Sequence, residues 1–253
     1  MIGVGESQLL AWLSAFLLPF FRILGLFTSA PILSQRAMPV RVRVGASLLL
    51  AALVAPLIPP GPAADLAAAS GWLAVASEAL IGFAMGFVAR AILAAVEVAG
   101  EAVGLQMGLS FAGFFDPDSG QLNAVSRLMN TLSLAAFVAF HGPLLLVVAA
   151  VRSFELIPPA TALSGWLTRV DPVSLGGALF GLGLTIALPF MALLLFANLA
   201  LGVISRIAPQ LNIFAIGFPV TIGAGLVLLA LGLPLLQAPF ESMFEQVLST
   251  LRM

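Results

Sequence analysis

Glu97 and Glu101 are the nearest approach in this chain to a working pair of acids. Paired carboxylates can divide general acid and general base roles between them. The sequence supplies nothing for them to act with. It has no G-x-S-x-G, no H-E-x-x-H and no cysteine, so the usual nucleophile and metal constellations are missing from its pattern. His141 is the single histidine and cannot build a zinc site alone. Beside Gly142-Pro143 it reads as a helix break. No catalytic residue, metal or cofactor is expected, and the chain reads as a non-enzyme.

A second acidic group lies in "GLSFAGFFDPDSG", Gly108 to Gly120. Asp116-x-Asp118 matches the first ligand positions of a calcium loop. The match then fails, because the obligatory glycine is Gln121 and the closing glutamate is Arg127. Acids within a membrane often mark proton or ion pathways. Pro117, Ser119 and Gly120 equally describe a solvated turn. Phe111, Phe114 and Phe115 beside that turn need a surface to pack on, and a pore or a neighbouring chain would provide one.

These residues must be positioned by apolar elements. The chain has 253 residues, 61% hydrophobic and 8% charged, with mean hydropathy +1.16. A soluble domain has about 25% charged residues, so this surface must be covered by lipid or other protein. All ten basic residues are arginine, the net charge is −1, and no basic patch supports nucleic-acid binding. The opening "MIGVGESQLL" has no basic n-region, so the first apolar segment is expected to be retained.

Apolar stretches run roughly over 7–33, 44–60, 66–95, 128–151, 173–204 and 211–237. At about 20 residues per span they give about six candidates. Arg36, Arg41 and Arg43 would read as cytoplasmic, yet alternation puts Arg152 and Arg169 on the other side, so the charge bias is weak. Pro19, Pro56, Pro143, Pro189, Pro219 and Pro234 interrupt apolar runs. In lipid the carbonyls they free must be satisfied by neighbouring protein or water. The expected fold is all-α: membrane-associated helical hairpins with broken helices.

Residues from about Glu78 to Gly108 read as one helix about 45 Å long. At 100° per residue Gly82, Gly86, Gly100 and Gly104 share a narrow stripe, with Gly108 beside it, a small-xxx-small pattern that admits another backbone. Arg90, Glu97 and Glu101 form an adjacent stripe. Arg90 is about 16 Å along the axis from Glu101, too far to neutralise it. A charge at the bilayer centre costs about 2.5–3.5 kcal/mol. The carboxylates therefore need cations from elsewhere, Arg127 or Arg152 or another subunit, unless that end of the helix is in water. Asn130 and Asn198 are candidate interhelical hydrogen-bonding residues.

"GLQMGLSFAGFFDPDSG", "VSRLMNTLSLAAFVAFHGPLLL", "SAPILSQRAMPVRVRVGASLLLA" and "RIAPQLNIFAIGFPVTIGAGLVLL" together resemble the FliR family of flagellar export-gate proteins. The likeness runs through the whole chain in one order; injectisome relatives share its general pattern. It implies a single helical unit, with a FliP-like part over about 1–170 followed by a FliQ-like part over 171–253. It implies partners: FliP-like and FliQ-like subunits, an FlhB-like subunit, unfolded export substrates and membrane lipid, at the flagellar basal body in the bacterial inner membrane. The family's plug falls on Phe111, Gly113, Phe114, Phe115, Asp116 and Pro117. The charged stripe and Arg206 become candidate inter-subunit contacts, while Arg206, Pro209 and Asn212 mark the junction of the last hairpin. The alternative function is a secondary transporter for a small solute, which also uses broken helices around charges. Such proteins usually carry an internal repeat, and this sequence has no convincing one.

Overall fold

A computed structural model describes residues 6–34, 38–58, 65–109, 123–159, 172–208, 210 and 213–232. Among them are seven α-helices: α1 (Glu6–Ser29), α2 (Val40–Val54), α3 (Ala69–Gln106), α4 (Ala124–Ala139), α5 (Gly142–Leu156), α6 (Pro172–Ile207) and α7 (Ile213–Gly232). A short 3-10 turn, Ala55–Leu57, follows α2. The described residues are all-α and largely apolar.

Among the described residues, four helices are long and apolar enough to cross a membrane, and the bent pair α4–α5 makes a fifth candidate. The sequence expectation was six. Of the last apolar run, 211–237, the described residues give an apolar helix over Gly217–Gly232, shorter than a span, and 233–237 lie outside them. α3 begins at Ala69, well before Glu78: "ASGWLAVAS" contains no proline, and its one glycine, Gly71, costs a helix only about 1 kcal/mol. Its 38 residues extend about 57 Å, more than the roughly 30 Å of a hydrocarbon core.

The prolines divide into two classes. Pro19, Pro189 and Pro219 lie inside helices. Pro56 sits in the 3-10 turn, and Pro143 occupies the first turn of α5, where its missing N–H costs nothing. His141 precedes it in the left-handed region, φ 57°, and separates α4 from α5. Pro234 falls outside the described residues.

The chain forms two compact units. The first comprises Met1–Ala91, Phe137–Leu175 and Glu245–Met253; the second comprises Ile92–Ala136 and Gly176–Phe244. In the first, α1 and the early part of α3 meet backbone to backbone. A Cβ at Gly25 would strike the Ala79 carbonyl, one at Gly82 the Arg22 carbonyl, and one at Gly86 the Ser29 hydroxyl and Leu26 carbonyl. Ser29 Oγ donates to the Phe83 carbonyl across this seam, 2.7 Å. At the centre, Arg22 is fully buried and its Nε donates to Glu78 Oε2 at 2.6 Å. Leu18 and Val75 form a small apolar cluster nearby in sequence, flanked by Phe21, Leu66 and Ala74.

In the second unit, the rest of α3 packs with α4, α6 and α7. Val96, Ala99, Val103, Met129, Ile186, Phe190, Leu194 and Leu229 are buried. Gly100 lies against the backbone of Ser126, and Gly183 against the Ala95 carbonyl. The opposite faces are apolar and open: Phe180, Leu184, Leu188, Phe196 and Val203 on α6 are all exposed. An apolar surface of this extent belongs in lipid or under another chain.

Candidate functional site at the end of helix α3

The last two turns of α3 form a polar anchor within the second unit. An α-helix leaves its final carbonyls without intrahelical donors, and in an apolar setting they must be satisfied otherwise. Asn198 Nδ2 on α6 donates to the Gln106 carbonyl at 3.3 Å. Thr221 Oγ1 on α7 donates to the Met107 carbonyl at 3.2 Å. Gly108 then takes φ +81° and its N–H bonds back to the Leu105 carbonyl. This is glycine's usual duty past a helix C-terminus, and the Phe218 ring fills the space where a Cβ would stand.

The beginning of α4 is fastened to the same part of α3. The backbone N–H of Asn123 donates to Glu101 Oε1 at 2.9 Å, and Asn123 Nδ2 to Glu101 Oε2 at 2.8 Å. Asn123 Oδ1 accepts the N–H of Ser126 at 2.9 Å, which makes Asn123 the N-cap of α4. Its side chain lies directly on Gly104, where any Cβ would displace it. Ser126 Oγ donates to the Glu97 carbonyl at 2.8 Å. The start of α4 is thus tied to the final turns of α3, and the end of α3 to α6 and α7.

A groove of about 290 Å³ opens here, lined by Gln106, Met107, Gly108, Asn198, Leu201, Gly202, Gly217, Phe218 and Thr221. Gln106 Oε1 is buried and has no hydrogen-bond partner among the described residues.

The site residues expected from sequence fall as follows. Gly82 and Gly86 lie on α1, Gly100 and Gly104 on the start of α4, and Gly108 under Phe218. Glu101, half-buried, draws its hydrogen bonds from the amides of Asn123 where a cation was sought. Glu97 is half-buried, while Arg90 and Arg206 are exposed, Arg206 in the last turn of α6. Phe111, Gly113, Phe114, Phe115, Asp116 and Pro117 lie outside the described residues, as do Pro209 and Asn212. Asn198 makes an interhelical hydrogen bond.

Sequence reasoning missed three contributors. Asn123 had a weak signal, an Asn three residues before a serine at the head of an apolar helix. Thr221 had none. Arg22 had a strong one: a lone arginine inside "LLPFFRILGLF" demands a buried partner.

The family model for bacterial export proteins, family 1, matches residues 13–247. The chain is 40% identical to the flagellar biosynthetic protein FliR of Escherichia coli (strain K12), covering 99% of this chain and 96% of that protein. It is 38% identical to the FliR of Pectobacterium carotovorum subsp. carotovorum, covering 99% and 96%. With the FliR of Bacillus subtilis (strain 168) it shares 28% identity, covering 94% and 93%.

Proposed function

The chain belongs to the bacterial export proteins, family 1, the family of the flagellar biosynthetic protein FliR, and from that premise we propose how this flagellar export protein works. It is a non-catalytic subunit of the flagellar type III export gate. It forms part of the secretion pore and contributes the segment Phe111–Pro117 as a plug. Its partners are FliP-like and FliQ-like subunits and an FlhB-like subunit in the inner membrane at the basal body, and its cargo is unfolded export substrate. The FliP-like part covers about 1–170 and the FliQ-like part 171–253.

The observation that carries this reading is the anchor on α3. A plug has to be held firmly at its base while its tip moves aside. The residues that flank the phenylalanine-bearing segment meet that need: Glu101 fixes Asn123 on one side, and Asn198 and Thr221 fix the helix end before Gly108 on the other. Gly113 supplies backbone freedom within the segment. The open apolar faces of α2 and α6 suit neighbouring subunits and lipid, with Arg90, Glu97, Glu101 and Arg206 as charged contacts at the subunit boundaries.

The test is to tag the chain in its native membranes, extract it mildly and identify what accompanies it. The proposal expects FliP-like and FliQ-like chains in one large particle. A lone chain or a homodimer, under conditions that preserve such particles, would defeat the gate reading and put solute transport first.

A further inference from the structure

The buried arginine of the first unit lies near the middle of Trp12–Ser29, a segment apolar and long enough to cross a membrane. Each of its three nitrogens donates a hydrogen bond. Nε donates to Glu78 Oε2 on α3 at 2.6 Å, Nη1 to Ser153 Oγ on α5 at 3.0 Å, and Nη2 to the Ile157 carbonyl just past α5 at 3.0 Å. The guanidinium carbon stands 4.1 Å from the Phe154 ring centroid. Arg22 and Glu78 are 0% and 1% exposed at their side chains, so neither charge is answered by solvent.

The two partners are chemically unequal. A carboxyl deprived of its cation can take up a proton and become neutral. A guanidinium cannot release one at any physiological pH. Arg22 without Glu78 therefore remains a full charge in an apolar interior, whereas Glu78 without Arg22 has an escape.

We infer that Arg22 makes the membrane residence of α1 conditional on α3: α1 is retained only once Glu78 has been delivered to it. The α1–α3 pair, with α5 drawn in through Ser153 and Ile157, is then formed within the chain before any partner subunit is met. Glycines 25, 82 and 86 allow the approach that brings Nε and Oε2 together, and the ion pair decides whether the assembled helices stay. This follows from the first unit alone and is independent of the plug.

The full-length tagged chain is expressed in its native host as wild type, Glu78→Leu, Arg22→Met, Arg22→Met/Glu78→Leu and Arg22→Lys/Glu78→Leu. The amount of intact chain in alkali-washed membranes is measured at matched transcript level. Glu78→Leu is expected to fall about tenfold or more, and Arg22→Met by about threefold or less, because only the latter leaves a group able to neutralise itself. The double Met/Leu variant should return to within about twofold of wild type, since a buried pair replaced by apolar residues is often neutral. The Lys/Leu variant should exceed Glu78→Leu, because lysine can shed its proton when buried. Equal losses for the two single variants, or no recovery in the Met/Leu double, would overturn the inference.

Discussion

Two of the three glutamates on helix α3, Glu78 and Glu101, receive opposite treatment. Glu78 is sealed among α1, α3 and α5 and is held by an arginine. Glu101 is half-buried near the helix end and is held by the backbone and side-chain amides of one asparagine. The difference follows from access to water. A carboxylate without solvent needs a countercharge, whereas one near a helix terminus can be satisfied by orphan N–H groups. Glu101 in fact does the work that a glutamate at the third helical position does in a capping box. Ser126 occupies that position in α4, and the carboxylate comes instead from a different helix.

The largest losses are expected at the glycines. Gly82→Leu or Gly86→Leu would drive a side chain into the backbone of α1 and is expected to cost about 4 kcal/mol or more. The measured sign would be loss of folded chain from membranes; normal accumulation of either variant would show that α1 and α3 do not meet as described. The same change at Gly100, against Ser126, should detach α4 with a comparable loss.

A smaller effect belongs to the anchor. Asn123→Ala removes the N-cap bond of α4 and both Nδ2 bonds to Glu101, a loss of about 1–2 kcal/mol. It should lower the midpoint of thermal unfolding in detergent. Glu101→Gln should lower it less, because one side-chain oxygen still accepts. If Asn123→Ala left the midpoint unchanged, the cap would not be holding α4.

The smallest effect is expected where nothing is close. Gly181 on α6 has no neighbour within 4 Å of an added Cβ. Gly181→Ala should therefore stabilise the isolated chain by about 0.5–1 kcal/mol through helix propensity. A destabilisation of the isolated chain would contradict the open face of α6.

Much of this architecture could be read from the residues. The apolar runs give the helices, "HGP" gives the break before α5, and the 100° stripe singles out glycines 82, 86, 100 and 104. Periodicity says which residues share a face but not what that face meets. That α1 takes the first two glycines and α4 the next two is a tertiary fact. Arg22 and Glu78 are 56 residues apart, so no local pattern joins them. Asn123 satisfies Glu101 because backbone N–H groups compete with cations for a carboxylate, and a search for charges alone overlooks them. The sequence does not fix the start of α3, because "ASGWLAVAS" has no proline and its lone glycine is tolerated inside a helix.

We propose that the segment flanked by Gly108 and Asn123 closes a pore. The direct measurement is the ion conductance of membranes carrying the complete gate, with residues 111–117 either present or deleted and the amount of assembled particle held equal. A leak is expected when they are deleted and a tight membrane when they are present. Equal, low conductance from both would contradict it.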